Sequence, residues 1–268
     1  PGSTIVPVAG RISGAQTEIN GVKYCLTENE PGRTLHGGTD TANEQYWETS
    51  VEQENNQVTF GITLKDGFDG FPGDVRVLAT YRLSDENELF VEYRAESDKD
   101  TIFNPTNHVY FNLTGDFQQS VGEHQIRIAA NRYVPLGEDN LPIGVLEEII
   151  DTPFDFRDFA SFSQGFNSQH TQNLLVKGYD HPCVLEDVAT PVEVLSPDGK
   201  IKLSVVTNQP SVVIYTYNFP VEELAAFHGA FSLECQGLPN ACNVDRFGSI
   251  LLEQGDCFFS QTAYRFSW

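Results

Sequence analysis

Between residues 57 and 97 the chain runs through three consecutive segments in which apolar and polar side chains alternate. "QVTFGITLKD" puts Val58, Phe60, Ile62 and Leu64 on one face. "DVRVLATYRLS" does the same with Val75, Val77, Ala79, Tyr81 and Leu83, and "NELFVEYRAES" with Leu89, Val91, Tyr93 and Ala95. A two-residue period belongs to a strand with one buried face; an amphipathic helix would repeat every 3.6 residues. Short polar turns such as "SDEN" separate the runs, so the region reads as an antiparallel meander. Further strands are expected in "EHQIRIAA", "IKLSVVTN", "SVVIYTYNF", "AFSLECQG" and "CFFSQTAYRFSW". Helical signals are short: "VEELAAF" at 221–227, and "FDFRDFASF" at 154–162, which opens after "DTP". No Gly/Ser linker, repeat or low-complexity tract divides the chain. The expectation is an all-β fold, one domain over residues 1–268, built as a large antiparallel two-sheet β-sandwich with few short helices. The sequence opens on "PGSTIVPVAGRI", already inside a strand-like pattern.

Charge narrows the partners. Lys and Arg number 16 against 38 Asp and Glu, for a net charge of -22. Phosphate backbones and anionic membrane surfaces are held by clustered cations, so nucleic acid and membrane are not expected as partners. A polyanionic substrate is disfavoured for the same reason, and the acidic residues read as a solvated surface. The five Cys include no C-x-x-C pair, which suits reduced thiols in a reducing cytosol. No signal-like or membrane-spanning stretch is seen, so a cytoplasmic location is expected.

The chemistry concentrates in a few strands and strand ends. In "NPTNHVYFNLTG", His108, Tyr110 and Asn112 alternate with the apolar Val109, Phe111 and Leu113. In "FSLECQG", Glu234 alternates with core residues in the same way. A mid-strand Glu is ordinarily solvent-facing and a strand His ordinarily a hydrogen-bonded core group, so neither residue identifies a site alone. "LHGGTD" sets His36 before a Gly pair where backbone can approach a ligand. "KGYDHPCVL" sets Asp180 and His181 before Pro182, at the mouth of a strand; capping of a turn would also explain them. Arg11 stands alone among small and apolar residues in "VAGRIS", as a ligand clamp or a structural ion pair. None of the six His stands in H-x-H or H-E-x-x-H spacing, no G-x-S-x-G elbow occurs, and the glycines form no phosphate loop. What is left is an acid–base constellation.

Taken together, and in this order along the chain, "GRI", "LHGG", "NPTNHVYFNL", "GYDH", "YTYNF" and "LECQGLPNACN" resemble the aldose 1-epimerase (galactose mutarotase) family. The resemblance spans nearly the whole sequence. It implies the family's large antiparallel β-sandwich with an open concave face. It implies Glu234 as general base and His108 as general acid, with His36, Asp180 and Arg11 as sugar ligands. No cofactor or metal is implied, and the implied partner is a small aldose. Ring opening of a hemiacetal needs the C1 hydroxyl proton removed and the ring oxygen protonated, which a base and an acid held apart across the sugar can do together. Two positions depart from the family's pattern: Gly10 where many relatives have Asn, and Val213 where many have Gln. Both changes should shift sugar preference or weaken binding. Relatives also usually carry strands before "GRI". Competing functions are a non-catalytic carbohydrate-binding protein on the same scaffold, a hexose 6-phosphate mutarotase, and a glycoside hydrolase with Asp180 and Glu234 as its paired carboxylates.

Overall fold

The computed structural model describes residues 2–220 and 224–268. Two antiparallel sheets dominate. A nine-stranded sheet contains the expected meander as Gln57–Leu64, Val75–Leu83 and Glu88–Ser97, each paired with the next. The long Cys257–Ser267 strand joins Glu88–Ser97 to Lys202–Thr207 within it. A six-stranded sheet runs in the order Tyr110–Phe111, Phe231–Gln236, Ser211–Tyr215, Asp180–Leu185, Ala130–Tyr133, Glu147–Glu148.

One apolar core joins the sheets. Phe231, Leu233, Cys235, Val212, Ile214 and Cys183 come to it from the smaller sheet. Ala79, Val91, Tyr93, Ile126, Val194, Leu203 and Tyr264 come from the larger. Along Val75–Leu83 and Glu88–Ser97 the period-2 pattern did what it predicts, with buried residues alternating with more exposed ones over most of each strand.

The helices lie elsewhere than expected. Segment 154–162 is not helical; the two α-helices are Ser163–Phe166 and Thr171–Val176, just after it. Phe154 and Phe156 both enter the core, and a two-residue spacing suits extended backbone rather than a helix face. Ala160–Ser161 pairs as an edge strand with Gln125–Ile126. Of the "VEELAAF" helix, residues 221–223 lie outside the described residues. The remainder makes no helix; Ala226 N–H instead donates to Phe117 O at 2.9 Å.

Candidate functional site

Register builds the floor of a cleft. Tyr110 stands opposite Ser232, Ser232 opposite Tyr215, and Tyr215 opposite Asp180. One step along, Glu234 stands opposite Val213 and Val213 opposite Pro182. Residues two apart on a strand share a face, so these rows project together from the sheet face turned away from the core. Tyr110, Tyr215, Asp180, Glu234, Val213 and Pro182 line a cavity of about 350 Å³, with Leu35, Leu136, Pro142 and Phe219 as apolar parts of its wall.

Arg11 and His36 reach this cavity from outside the sheet. Arg11–Ser13 and Arg33–Leu35 form an antiparallel ribbon in which Arg11 faces Leu35. That register puts the next residue, His36, against Gly10. His36 N–H donates to Gly10 O at 3.1 Å, and Gly10 N–H donates to His36 Nδ1 at 3.2 Å. Because Nδ1 is an acceptor, the proton of the neutral ring is on Nε2. Burial, with His108 and Arg11 nearby, lowers the His36 pKa to about 3, so the ring is neutral.

The loop after His36 is held by contacts that sequence reading missed. Asp69 accepts from Thr39 N–H and Asp40 N–H at 3.0 and 3.1 Å. A Cβ on Gly38, at φ +110°, would lie 2.4 Å from the Asp69 carboxyl carbon. Gly38→Ala is therefore expected to destabilise the protein by roughly 1–3 kcal/mol, read as a lower melting temperature. "LHGG" thus encodes a close approach as well as a ligand-side histidine.

The asparagines of the quoted motifs tie the pieces together. Asn104 Oδ1 accepts from Gly237 N–H at 2.7 Å and its Nδ2 donates to Gly237 O at 3.0 Å, while Ala9 N–H donates to Asn104 O. Asn240 Oδ1 accepts from Ser13 N–H and Oγ, both at 3.1 Å. The ribbon with Arg11 is thereby fixed to the loop that leaves the Glu234 strand.

All five sequence-predicted site residues line the one cavity: Arg11, His36, His108, Asp180 and Glu234. Glu234 is buried, 4% exposed, at mid-strand rather than on a solvent face. Its Oε1 accepts from Ser232 Oγ at 3.0 Å and lies 3.1 Å from His108 Nε2. The expectation that base and acid are held apart across a sugar is thus corrected: here they touch. The His108 ring is boxed by His36, Tyr110 and Tyr215, at centroid distances of 5.5, 5.0 and 6.2 Å. Burial raises the pKa of Tyr110, and that of Tyr215 to about 12, so both remain phenols and neither is a base near neutrality.

Arg11 makes a structural ion pair and also lines the cavity. Its Nε donates to Glu30 Oε2 at 2.8 Å, and its Nη1 lies 3.6 Å from Asp180 Oδ2. Burial raises the Asp180 pKa to about 7, against the pull of Arg11 and with the push of Glu234. His181 is not in the cavity. It is fully buried behind it, accepting from Asp180 N–H at Nδ1 and meeting Gln172 Oε1 at 3.0 Å with Nε2. Gln172 also grips Leu136 at both N–H and C=O, so one amide ties the Asp180 strand to the wall that Leu136 forms.

Asn112 does not join His108 and Tyr110. Its Nδ2 is bonded to Asp116 O, Gln119 O and Gly229 O, which organises a turn. Gly10 and Val213, the two departures, both line the cavity. A Cβ on Gly10 would fall 2.8 Å from Pro239 Cβ, so no side chain fits there without a shift. Gln236 is the lining residue missed outright; its amide is buried with no hydrogen-bond partner on either atom. Among the described residues, no group of three or more His, Cys, Asp or Glu is placed to hold a metal ion.

A two-sheet antiparallel sandwich with a polar cleft on the outer face of one sheet is the galactose mutarotase-like architecture. Its solved relatives include the aldose epimerase homologue from C. elegans, with TM-score 0.89 and 28% identity over 98% of this chain and 81% of that one. They also include galactose 1-epimerase from Lactobacillus acidophilus NCFM, with TM-score 0.88 and 29% identity over 98% and 79%. The family model for aldose 1-epimerase matches residues 1–265. Aldose 1-epimerase of Escherichia coli K12 is 33% identical over 99% of this chain and 79% of its own length. Galactose mutarotase of Rattus norvegicus is 34% identical over 99% and 78%. The chain belongs to the aldose 1-epimerase family, and it is an isomerase.

Proposed function

We propose that this chain interconverts the α and β anomers of a free hexose, galactose or glucose, with Glu234 as general base and His108 as general acid. The observation that carries the assignment is the 3.1 Å contact between these two groups at the floor of the cavity. The C1 hydroxyl oxygen and the ring oxygen are both bonded to the anomeric carbon. The groups that serve them must therefore stand side by side, not at opposite ends of the sugar. A bound hexose would set its C1 hydroxyl against Glu234 and its ring oxygen against His108.

In the forward direction Glu234 takes the proton of the C1 hydroxyl. The bond from C1 to the ring oxygen breaks, and His108 gives that oxygen its proton. The aldehyde turns about the C1–C2 bond. On closure His108 recovers the proton, the ring oxygen attacks the other face of C1, and Glu234 returns its proton to the carbonyl oxygen. Arg11, Asp180 and the Nε2–H of His36 hold sugar hydroxyls and the ring-oxygen side. Arg11 is the sole Lys or Arg side chain lining the cavity among the described residues, which supports a neutral sugar over a hexose phosphate. The buried base and its adjacent acid favour catalysis over binding alone. Residues 1–268 act as one domain in this reading. A cytoplasmic location is supported by five cysteines without disulfide partners.

Polarimetry of freshly dissolved α-D-glucose and α-D-galactose tests the proposal: the protein should speed the approach to equilibrium rotation for at least one. Absence of acceleration with both, at concentrations where a sugar is shown to bind, would leave the binding-protein reading standing. Asp180→Asn should raise KM more than it lowers kcat, because it weakens a hydroxyl contact and leaves the acid–base pair. In the unaltered protein KM should rise as pH falls through about 7, where Asp180 takes up its proton. A flat KM between pH 5 and 8, within the assay's reach, would remove Asp180 from sugar binding.

A further inference from the structure

We propose that Glu30 is a positioning residue for sugar binding: it holds the Arg11 guanidinium and keeps it from closing onto Asp180. The inference rests on Arg11 and Asp180 being sugar ligands. The turn that delivers Glu30 is written locally. In "EPGR", Pro31 and Gly32 are the central residues of a type II turn, with Gly32 at φ +72°. Arg33 N–H donates to Glu30 O at 3.0 Å and closes it. The Glu30 carboxylate then accepts from Arg11 Nε at 2.8 Å and from Arg11 Nη2 at 3.4 Å. Arg33 Nε grips the same Oε2 at 2.7 Å from the far side of the turn.

This arrangement has two effects. First, it uses one edge of a planar fork, so the guanidinium is fixed in orientation and its Nη1 is directed at the cavity side, 3.6 Å from Asp180 Oδ2. That distance is too long for a firm hydrogen bond. Second, it neutralises Arg11 from behind. Asp180 is therefore not locked in a bidentate ion pair, and its oxygens stay available to hydroxyls. Without the Glu30 charge, the strong geometry for Arg11 would be a fork onto Asp180, which removes both groups from the sugar. The charged and titratable groups around Asp180 are Arg11 and Glu30 from the ribbon and its turn, Glu234 from the next strand but one, Tyr215 directly opposite, Tyr110 on the far edge strand, and the neutral His181 that accepts from its N–H. Glu30 acts on Asp180 as a like charge, so its loss lets Asp180 ionise at lower pH.

The test is steady-state mutarotation of Glu30→Gln, Glu30→Asp and Arg11→Ala beside the wild type, from pH 5 to 9, with thermal melts of each. Glu30→Gln should raise KM roughly 10-fold, the size of one misplaced hydrogen bond to a charged group, with kcat nearly kept. The pH below which its KM rises should move down. Glu30→Asp keeps the charge, so its pH limb should stay where the wild type has it. A purely structural Glu30 would lower the melting temperature without moving that limb. A Glu30→Gln protein with wild-type KM and an unmoved limb overturns the inference, while a raised KM in Arg11→Ala would still uphold Arg11 as a ligand. A wild-type KM in Arg11→Ala would remove both.

Discussion

Glu234→Gln is expected to lower kcat by roughly 10²–10⁴-fold, the usual range for a positioned acid or base. The amide keeps the volume of the carboxylate. Its carbonyl oxygen can still accept from Ser232 Oγ and sit beside His108 Nε2, as Oε1 does in the wild type. What it cannot do is take the proton of the anomeric hydroxyl. KM should move little, because Arg11, Asp180 and His36 still line the cavity unchanged. The measurement is polarimetric kcat and KM, with thermal melts to establish that the variant is folded. A folded Glu234→Gln protein turning over at the wild-type rate would strip Glu234 of the proposed role and return the binding-protein reading to first place.

His108→Asn should cost a comparable factor in kcat by a different route. Asparagine can donate a hydrogen bond toward the ring oxygen but cannot give up a proton near neutrality. It also empties the box formed by His36, Tyr110 and Tyr215, so some stability loss is expected alongside. The melt separates the two effects: at a temperature where the variant is fully folded, the kcat deficit should persist. If the two groups act in one proton exchange, the double variant should be no slower than the worse single variant by more than about 10-fold. Fully multiplicative losses would mean that the residues work in separate steps.

Much of this fold was written in period-2 alternation, because a strand buried on one face leaves that trace directly in the sequence. Glu234 and His108 were legible as polar interruptions of otherwise apolar strands. Their 3.1 Å contact was not, since it depends on how the end of Thr106–His108 meets Phe231–Gln236, and register between distant strands is set by tertiary packing. Asn112 misled because an amide saturated by two turn carbonyls and the remote Gly229 carbonyl has the same sequence spacing as one facing a ligand. The aromatic run at 154–162 misled because Phe154, Phe156 and Phe162 fill the core from irregular backbone. Glu30 gave no signal of its own; only the Pro-Gly turn beside it was readable, and nothing in that turn names Arg11 as its target.

The 3.1 Å contact between His108 and Glu234 also bears on how the enzyme forgets its last substrate. Suppose an open-chain aldehyde escapes before the ring recloses. The proposed mechanism then leaves a protonated Glu234 beside a neutral His108, the wrong way round for the next cyclic sugar. Two groups 3.1 Å apart can correct this by passing one proton between themselves, without recruiting a donor from bulk water. On the proposed mechanism the pair would therefore reset itself. Turnover starting from either anomer finds the same enzyme form waiting, the same proton passed the other way prepares the pair for an aldehyde, and no slow recovery step should separate one catalytic cycle from the next.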